Sequence, residues 1–404
     1  MRELQEVDTM KDKMLIELYD QENLENIIAL ENGEYNRVVY LCVPFEPDEE
    51  EKQTLNAYVR SRFHLSPEYI HVRELSISST CAVLDTLLKE SRGSCTIDLT
   101  GGSEIFSAAA GFYVAQNPQK HIMLRQYDMS SGKCVFTHPD KSAWQERTQT
   151  TITVSEAVAL HGAAVLESAR FSSSGRLDEE ILRLWAVVKD VPRQWNHFCT
   201  LPAFTPIPYR TLEEKGVYSK GDLAAYEVIA KVLRKQKIMI NEISQQVEGR
   251  EYRVFSLDVP EEAHLLYEKG GNLLEYYCAL AVERAGVFRD CRVSVSLDWD
   301  GDQRKKPVDV RNEVDVMMTY GHIPVFVSCK NTRVENEYLY EIQTMARHYG
   351  GRYAKPVIVS NVENLPVVRK RAEEMGVLLI DAIHKMTLDE FVGVFQRNFP
   401  GKDV

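Results

Sequence analysis

The chain has 404 residues, 44% of them hydrophobic and 27% charged, with a formal net charge of −12. That length exceeds what one hydrophobic core sustains and predicts two or three domains. The acidity excludes a protein that coats nucleic acid by bulk electrostatics, though not a basic groove on one domain. No apolar run approaches membrane-spanning length, and the charged start MRELQEVDTMKDK lacks a signal peptide's apolar segment, so a cytoplasmic protein without a membrane anchor is expected. Cys42, Cys81, Cys95, Cys134, Cys199, Cys278, Cys291 and Cys329 form no CxxC pair and mostly fall in apolar stretches. Buried free thiols in a reducing compartment are expected, with neither a zinc site nor a disulfide framework.

Strands at 12–18 (DKMLIEL), 37–43 (RVVYLCV), 70–75 and 95–99 (CTIDL) alternate with helices at 22–31 (ENLENIIALE), 47–64 and 79–91, then a small-residue helix, EIFSAAAGFYVAQ. Two more strands follow, HIMLRQYD and KCVFTH. Such alternation predicts an α/β fold, a mostly parallel sheet with helices on both faces and ligands beyond the carboxyl ends of its strands. Two loops lie there: Tyr19-Asp20-Gln21-Glu22-Asn23 after the first strand, and Asp98-Leu99-Thr100-Gly101-Gly102-Ser103 after the fourth. Paired glycines allow close backbone approach, the amides at the following helix start suit an anion such as a phosphate, and Thr100 and Ser103 add hydroxyls. A tight turn with a helix cap and no ligand uses the same residues. There is no GxGxxG, which disfavours an ordinary dinucleotide.

Residues 151–170 (TITVSEAVALHGAAVLESAR) read as a capped helix leaving this sheet, with His161 a packing residue, and SSSG at 172–175 as a linker. The segments LDEEILRLWAVVKDV, GDLAAYEVIAKVLRKQ and INEISQQVEG read as helices and YRVFSLD as a strand, which suggests a winged-helix-like module. Its basic stretch from Lys231 to Lys237 is a candidate nucleic-acid contact, or more commonly a solvated helix face.

Beyond residue 258 a long helical pattern, EEAHLLYEKGGNLLEYYCALAVERAG, is interrupted at Gly270-Gly271. Glu275 stands in it among Leu273, Leu274, Tyr276 and Tyr277, an odd place for an acid without a partner. A strand CRVSVSLDW follows, then NEVDVMMTYGHIPVFVSCKN, two strands around a turn at Tyr320-Gly321-His322. Alternation sets Glu313 and Asp315 on one face of the first strand, and Ser328 and Lys330 on one face of the second. Two carboxylates and an ammonium at one end of a sheet are what a divalent cation and a phosphodiester need. The acids hold a hard cation through oxygen, and the lysine orients the attacking water or offsets charge. A surface salt bridge is the plain alternative, and the apolar flanks of both strands argue against a solvated edge. The helix ENEYLYEIQTMARHYGG, strand KPVIVSN, helix PVVRKRAEEMG, strand VLLID and a closing helix complete the chain, with Glu341 and Gln343 in supporting reach at best.

Asp315 with Ser328-Cys329-Lys330 resembles the PD-(D/E)XK nuclease core, and the N-terminal sheet with its DLTGGS loop resembles a CARF domain, the CRISPR-associated Rossmann fold. With GGNLLEYY and the winged-helix-like middle in the same order, the whole chain is similar to the cyclic-oligoadenylate-activated nucleases (Card/Can-type) of type III CRISPR antiviral defence. The resemblance implies a Rossmann-like CARF domain over 1–150, a helical and winged-helix-like region over 151–257, and a restriction-endonuclease-like α/β domain over 258–404. It implies a homodimer that binds cyclic tetra-adenylate, its allosteric activator, through Tyr19, Asp20, Gln21, Glu22, Asn23, Thr100, Gly101, Gly102 and Ser103. A two-fold ring is matched most simply by a two-fold dimer. The activated enzyme would then hydrolyse nucleic acid (single-stranded DNA or RNA, or duplex DNA) non-specifically, using Mg2+ or Mn2+.

By position, Asp315 matches the motif's aspartate, Lys330 its lysine and Glu275 the acid of the first helix. Ser328 departs from the usual Glu or Asp, so Glu313 and the backbone carbonyl of Cys329 are candidates for the missing ligand beside Glu275 and Asp315. Competing readings stay open. One is a CARF-containing, ligand-responsive DNA-binding regulator with an inactive nuclease fold, which Ser328 favours. Another is a metal-independent ribonuclease, which Arg193 and His197 fit poorly because only three residues separate them. A third is a sensor domain that degrades its own activator.

Overall fold

The apolar runs MLIEL and VVYLC become neighbouring strands with almost no exposed residue, and the sheet of the first half grows outward from them. The computed structural model describes residues 13–43, 47–90, 93–129, 131–140, 142–147, 151–172, 174–200, 209–213, 220–247, 250–301 and 310–400. Contacts divide the chain into two units, Met1–Ala164 with Tyr349–Arg352, and Val165–His348 with Tyr353–Val404. Both carry mixed α/β structure. No helix among the described residues is long and apolar enough to cross a membrane, and the eight cysteines are free thiols.

The first unit runs β1 (Lys13–Leu18), α1 (Asn23–Glu31), β2 (Arg37–Cys42), α2 (Glu49–Phe63), β3 (Glu68–His71), α3 (Ile77–Glu90), β4 (Ser94–Asp98), α4 (Glu104–Gln116), β5 (Met123–Asp128), β6 (Lys133–Thr137), β7 (Ala143–Arg147) and α5 (Val154–Leu160). Its sheet has the order β3-β2-β1-β4-β5-β6-β7, parallel through β5 and antiparallel beyond it. Strand order reverses at β1, which pairs with β2 on one side and β4 on the other, so the loops after β1 and β4 open side by side at the carboxyl edge. Capping chemistry fixes the helix starts: Asp48 with Glu51 and Thr153 with Glu156 form capping boxes, and Ser103 caps α4.

One row across this sheet is polar. Register aligns Glu17 with Asp98 and Asp98 with Arg125, and all three are buried. Arg125 donates to the Asp98 carboxylate and, at 3.2 Å, to the Ile28 carbonyl. Burial, then the Asp98 charge, pushes the Glu17 carboxyl well above the usual range, although Arg125 opposes it.

The second unit runs β8 (Ala164–Arg170), α6 (Gly175–Val188), α7 (Pro192–Thr200), β9 (Tyr209–Glu213), α8 (Lys220–Lys235), β10 (Met239–Val247), β11 (Arg250–Leu257), a 3-10 stretch (Glu261–Tyr267), α9 (Asn272–Ala285), β12 (Arg289–Asp298), β13 (Arg311–Tyr320), β14 (Ile323–Lys330), α10 (Asn336–Gly350), β15 (Lys355–Ser360), α11 (Pro366–Glu374), β16 (Leu378–Ile380) and α12 (Leu388–Asn398). A three-stranded antiparallel sheet, β10-β11-β9, accompanies a six-stranded one, β16-β15-β14-β13-β12-β8. Helix α9 is buried on nearly every face. Tyr277 stacks on Trp185 of α6 at 4.3 Å and on Phe391 of α12 at 5.8 Å, which locks α9 in register beneath the large sheet.

Two sequence expectations are corrected here. The helix expected over 151–170 stops at Leu160, because Gly162 at φ 78° turns the chain and 164–170 becomes strand β8, an edge of the six-stranded sheet. His161 is therefore a helix cap, and its Nε2 meets Glu22 Oε1 at 3.1 Å. Within INEISQQVEG, residues 240–247 belong to strand β10, not to a helix: its ladder to β11 outweighs a spacing that suits either state. The third strand lies at Glu68–His71, earlier than 70–75, while β7, β9 and α7 carried no periodic signal strong enough to be anticipated.

Removing one member of the buried Asp98–Arg125 pair strands a charge in the core. Arg125→Met is expected to cost about 3–5 kcal/mol in equilibrium urea unfolding, with most of the loss recovered in Asp98→Leu/Arg125→Met.

Candidate functional site

In the second unit, β13 and β14 pair from Tyr320↔Ile323 to Val316↔Val327. One step further the register sets Asp315 against Ser328, and there a side chain takes over from the backbone. Asp315 Oδ2 accepts the Cys329 N–H at 2.6 Å and the Ser328 hydroxyl at 3.3 Å. Beyond that point, among the described residues, β13 continues with β12, through Val314↔Val295 and Glu313↔Ser296, while β14 continues with β15, through Ser328↔Ile358 and Lys330↔Ser360. The sheet forks, and Glu313, Asp315, Ser328 and Lys330 line the fork.

Helix α9 brings the second acid. Glu275 lies in its first turn and accepts from the Ser294 hydroxyl of β12 at 3.4 Å. Gly271 makes room for it, since a Cβ there would stand 2.8 Å from Glu275 Oε1. Burial, then the charges of Asp315 and Glu313, push Glu275 up to about 8. Burial also raises Asp315, against the Cys329 amide and the Lys330 charge, which favour its ionised form. Glu313 is more exposed and faces Lys269 at 3.6 Å. The Cys329 thiol is buried, and burial and Cys278 raise it, while the Cys329 N–H is held by Asp315. Gln343 is turned elsewhere and donates to the Met375 carbonyl at 2.6 Å.

Among the described residues no group of three or more His, Cys, Asp or Glu is gathered tightly enough to hold a metal ion. The fork instead presents two carboxylates, Glu275 and Asp315, each raised chiefly by burial, with the Asp315 charge adding to the rise at Glu275. Two oxygen donors of that kind suit a magnesium-type cation that keeps several of its waters. The sequence reading missed Ser294 and Lys269, although Ser294 and Ser296 alternate with valines in VSVSL, a pattern that turns both hydroxyls to one face.

In the first unit the two loops meet. Asp20 Oδ2 accepts the Gly102 N–H at 3.2 Å, and its Oδ1 accepts the Glu22 N–H at 2.9 Å. Gly101 and Gly102 pack tightly: Gly102 has φ 79°, and a Cβ on it would stand 2.5 Å from Leu18 Cβ. Thr100 is held by its neighbours, its N–H donating to Asp98 and its hydroxyl accepting the Tyr127 N–H. Ser103 caps α4, and Asn23 donates to the Leu160 carbonyl. Tyr19 is buried edge-on to Tyr40, and Gln21 is exposed. Although burial alone would raise it, Glu22 is held below the usual carboxylate range by His161 and by the amides of Arg352 and Leu24. The loops are thus cross-braced, with an anionic side chain already on one of the glycine amides.

No family model matches the sequence, and no curated protein matches it. Solved structures do match in fold. The crystal structure of protein VC1899 from Vibrio cholerae shares 16% identity, with 96% of this chain and 98% of that one covered at a TM-score of 0.72. The structure of Can2 from Sulfobacillus thermosulfidooxidans in complex with cyclic tetra-adenylate shares 17% identity over 94% of this chain and 99% of that one, TM-score 0.64. A type III CRISPR defence DNA nuclease activated by cyclic oligoadenylate shares 13% identity over 87% of this chain and 45% of that one, TM-score 0.50. The chain has the fold of the first two nearly end to end, and spans less than half the length of the third.

The raised Glu275 has a consequence for stability. Without metal, the native state keeps a proton that the unfolded chain sheds near pH 4.5, so this contribution is full below that pH and is lost as pH rises towards about 8. Urea unfolding in EDTA is expected to show the wild type losing about 2–4 kcal/mol more than Glu275→Gln between pH 4.5 and 8.5.

Proposed function

We propose that the chain is a cyclic-oligoadenylate-activated, metal-dependent endonuclease of type III CRISPR defence, working as a homodimer. The observation that carries this reading is the forked sheet, where Glu275, Asp315 and Lys330, far apart in sequence, share one electrostatic neighbourhood. The full-length fold match to a Can2 structure holding cyclic tetra-adenylate supports the same reading. In its terms residues 1–150 form the Rossmann-like CARF sensor, 151–257 the winged-helix-like connection and 258–404 the PD-(D/E)XK nuclease domain.

A bound Mg2+ or Mn2+ supplies Lewis-acid charge to the scissile phosphate and a water acidified for attack. Glu275 and Asp315 would hold that ion through oxygen, with Glu313 at the exposed side of the fork and the Cys329 carbonyl as further donors. Ser328 fixes the Asp315 carboxylate instead of adding one of its own. Lys330 offsets charge on the phosphate oxygens and orients the attacking water. In the sensor, a phosphate of the ring takes the place of the Asp20 carboxylate at the Gly102 amide, and the braced loops pass that exchange on to Glu22 and Arg352. The ring favours cleavage only through its higher affinity for the competent dimer.

Purified protein given cyclic tetra- or hexa-adenylate, manganese, and single- and double-stranded DNA and RNA is expected to cut at least one substrate, and only when ring and metal are both present. Asp315→Asn and Lys330→Ala are expected to lower the rate by at least about 100-fold with ring binding unchanged. Gly102→Ala is expected to weaken ring binding by about tenfold or more, because an L side chain at φ 79° displaces Leu18. Ring-dependent gel shift of a defined duplex with no cleavage in manganese favours the regulator with an inactive nuclease fold.

A further inference from the structure

Lys330 ends β14 with its ammonium over a ring: its Nζ lies 4.6 Å from the centroid of the Tyr338 ring. The ring is placed firmly. The segment joining β14 to α10 is tied down by the Asn331 amide on the Gly270 carbonyl at 3.2 Å, the Ser360 hydroxyl on the Thr332 carbonyl at 3.1 Å, and the Val334 N–H on Asn364 at 2.7 Å. Tyr338 itself is half-buried, and Leu339 beside it is fully buried, which anchors the first turns of α10.

An anionic partner would hold the lysine as firmly, but it would cancel the charge and repel an approaching phosphate. An aromatic face attracts the cation through its quadrupole and adds no negative charge. It also fixes the ammonium from one side and leaves the remaining N–H donors for a substrate oxygen. Asp315 feels the Lys330 charge without a direct ion pair to it among the described residues, so the lysine is held near the acids but not spent on them.

We infer that Tyr338 is a positioning residue for the nuclease reaction, holding the Lys330 ammonium by cation–π contact so that it stays in place and open to the phosphate. The inference rests on the nuclease reading above. The ring matters in it and the phenol does not, and this separates it from a Tyr338 that acts as acid or base.

The test uses the full-length protein with its ring activator, manganese and the substrate found to be cut. Tyr338→Phe is expected to keep kcat within about twofold, while Tyr338→Leu lowers it about 2- to 30-fold with little change in KM. A series of phenylalanines with rising fluorine content at 338 is expected to lower log kcat in step with the weakening quadrupole. A separate readout needs no activity: in lysine-labelled protein the Lys330 ε-methylene resonance, assigned by its loss in Lys330→Arg, is expected upfield from the ring current and moves to an ordinary position in Tyr338→Leu. The proposal is overturned if Tyr338→Phe is as impaired as Tyr338→Leu, if the fluorine series is flat, or if wild-type Lys330 shows no ring-current shift. A wild-type protein that shows the shift and cleaves nothing overturns the nuclease reading, and the catalytic purpose of Tyr338 with it, while leaving the contact itself established.

Discussion

The second unit depends on one substitution of hydrogen bonds, in which the Asp315 carboxylate takes the Cys329 N–H that a continuing ladder would have given to a backbone carbonyl. A charge-assisted bond of 2.6 Å is strong enough to end strand pairing without leaving the amide unsatisfied. Because pairing ends there, β13 and β14 diverge toward different neighbours, and the polar faces of both strands open into one fork. The same carboxylate that makes the opening also faces into it. Structure and chemistry are thus concentrated in a single side chain, and Ser328 supports it from the opposite strand.

The first unit solves a comparable problem with a buried pair. Asp98 ends β4, neutralised by Arg125, and its other oxygen holds the Thr100 N–H at the start of the glycine loop. A charge at this position would be untenable in the core without the guanidinium, and burial pushes the neighbouring Glu17 carboxyl well above its usual range. The loop conformation is therefore set from below by the sheet and from the side by Asp20, which sits on the Gly102 amide. Loops braced this way change state by exchanging one partner for another, and an incoming phosphate is a natural competitor for a carboxylate.

Most strands and helices of the first unit were legible because turn residues punctuate them and their apolar periods are clean, as in RVVYLCV and EIFSAAAGFYVAQ. The hairpin with Glu313, Asp315, Ser328 and Lys330 was legible for the same reason: strict alternation fixes faces before any partner is known. The two misread helices show where such reasoning stops. INEISQQVEG has apolar residues at Ile240, Ile243 and Val247, a spacing that a helix accepts, and only its partner strand makes it β10. In 164–170 the deciding fact is a place at the edge of a sheet whose other strands lie far along the chain. Tyr338 was invisible for a third reason, since a cation–π contact between a strand end and the next helix leaves no period in the sequence.

Ser328, the one departure from the expected motif, makes physical sense in the observed charge distribution. Burial already raises the proton affinity of Glu275 and Asp315, the Asp315 charge adds to the rise at Glu275, and Glu313 adds to both. A carboxylate at 328, opposite Asp315 in register, would place another negative charge against the buried Asp315 and would compete for the Cys329 amide. A hydroxyl there donates to Asp315 instead, which lowers the cost of keeping that acid ionised. The fork therefore trades one direct oxygen ligand for a better-held Asp315. In the proposed nuclease, affinity for a cation would then rest on how far Glu275 must be deprotonated.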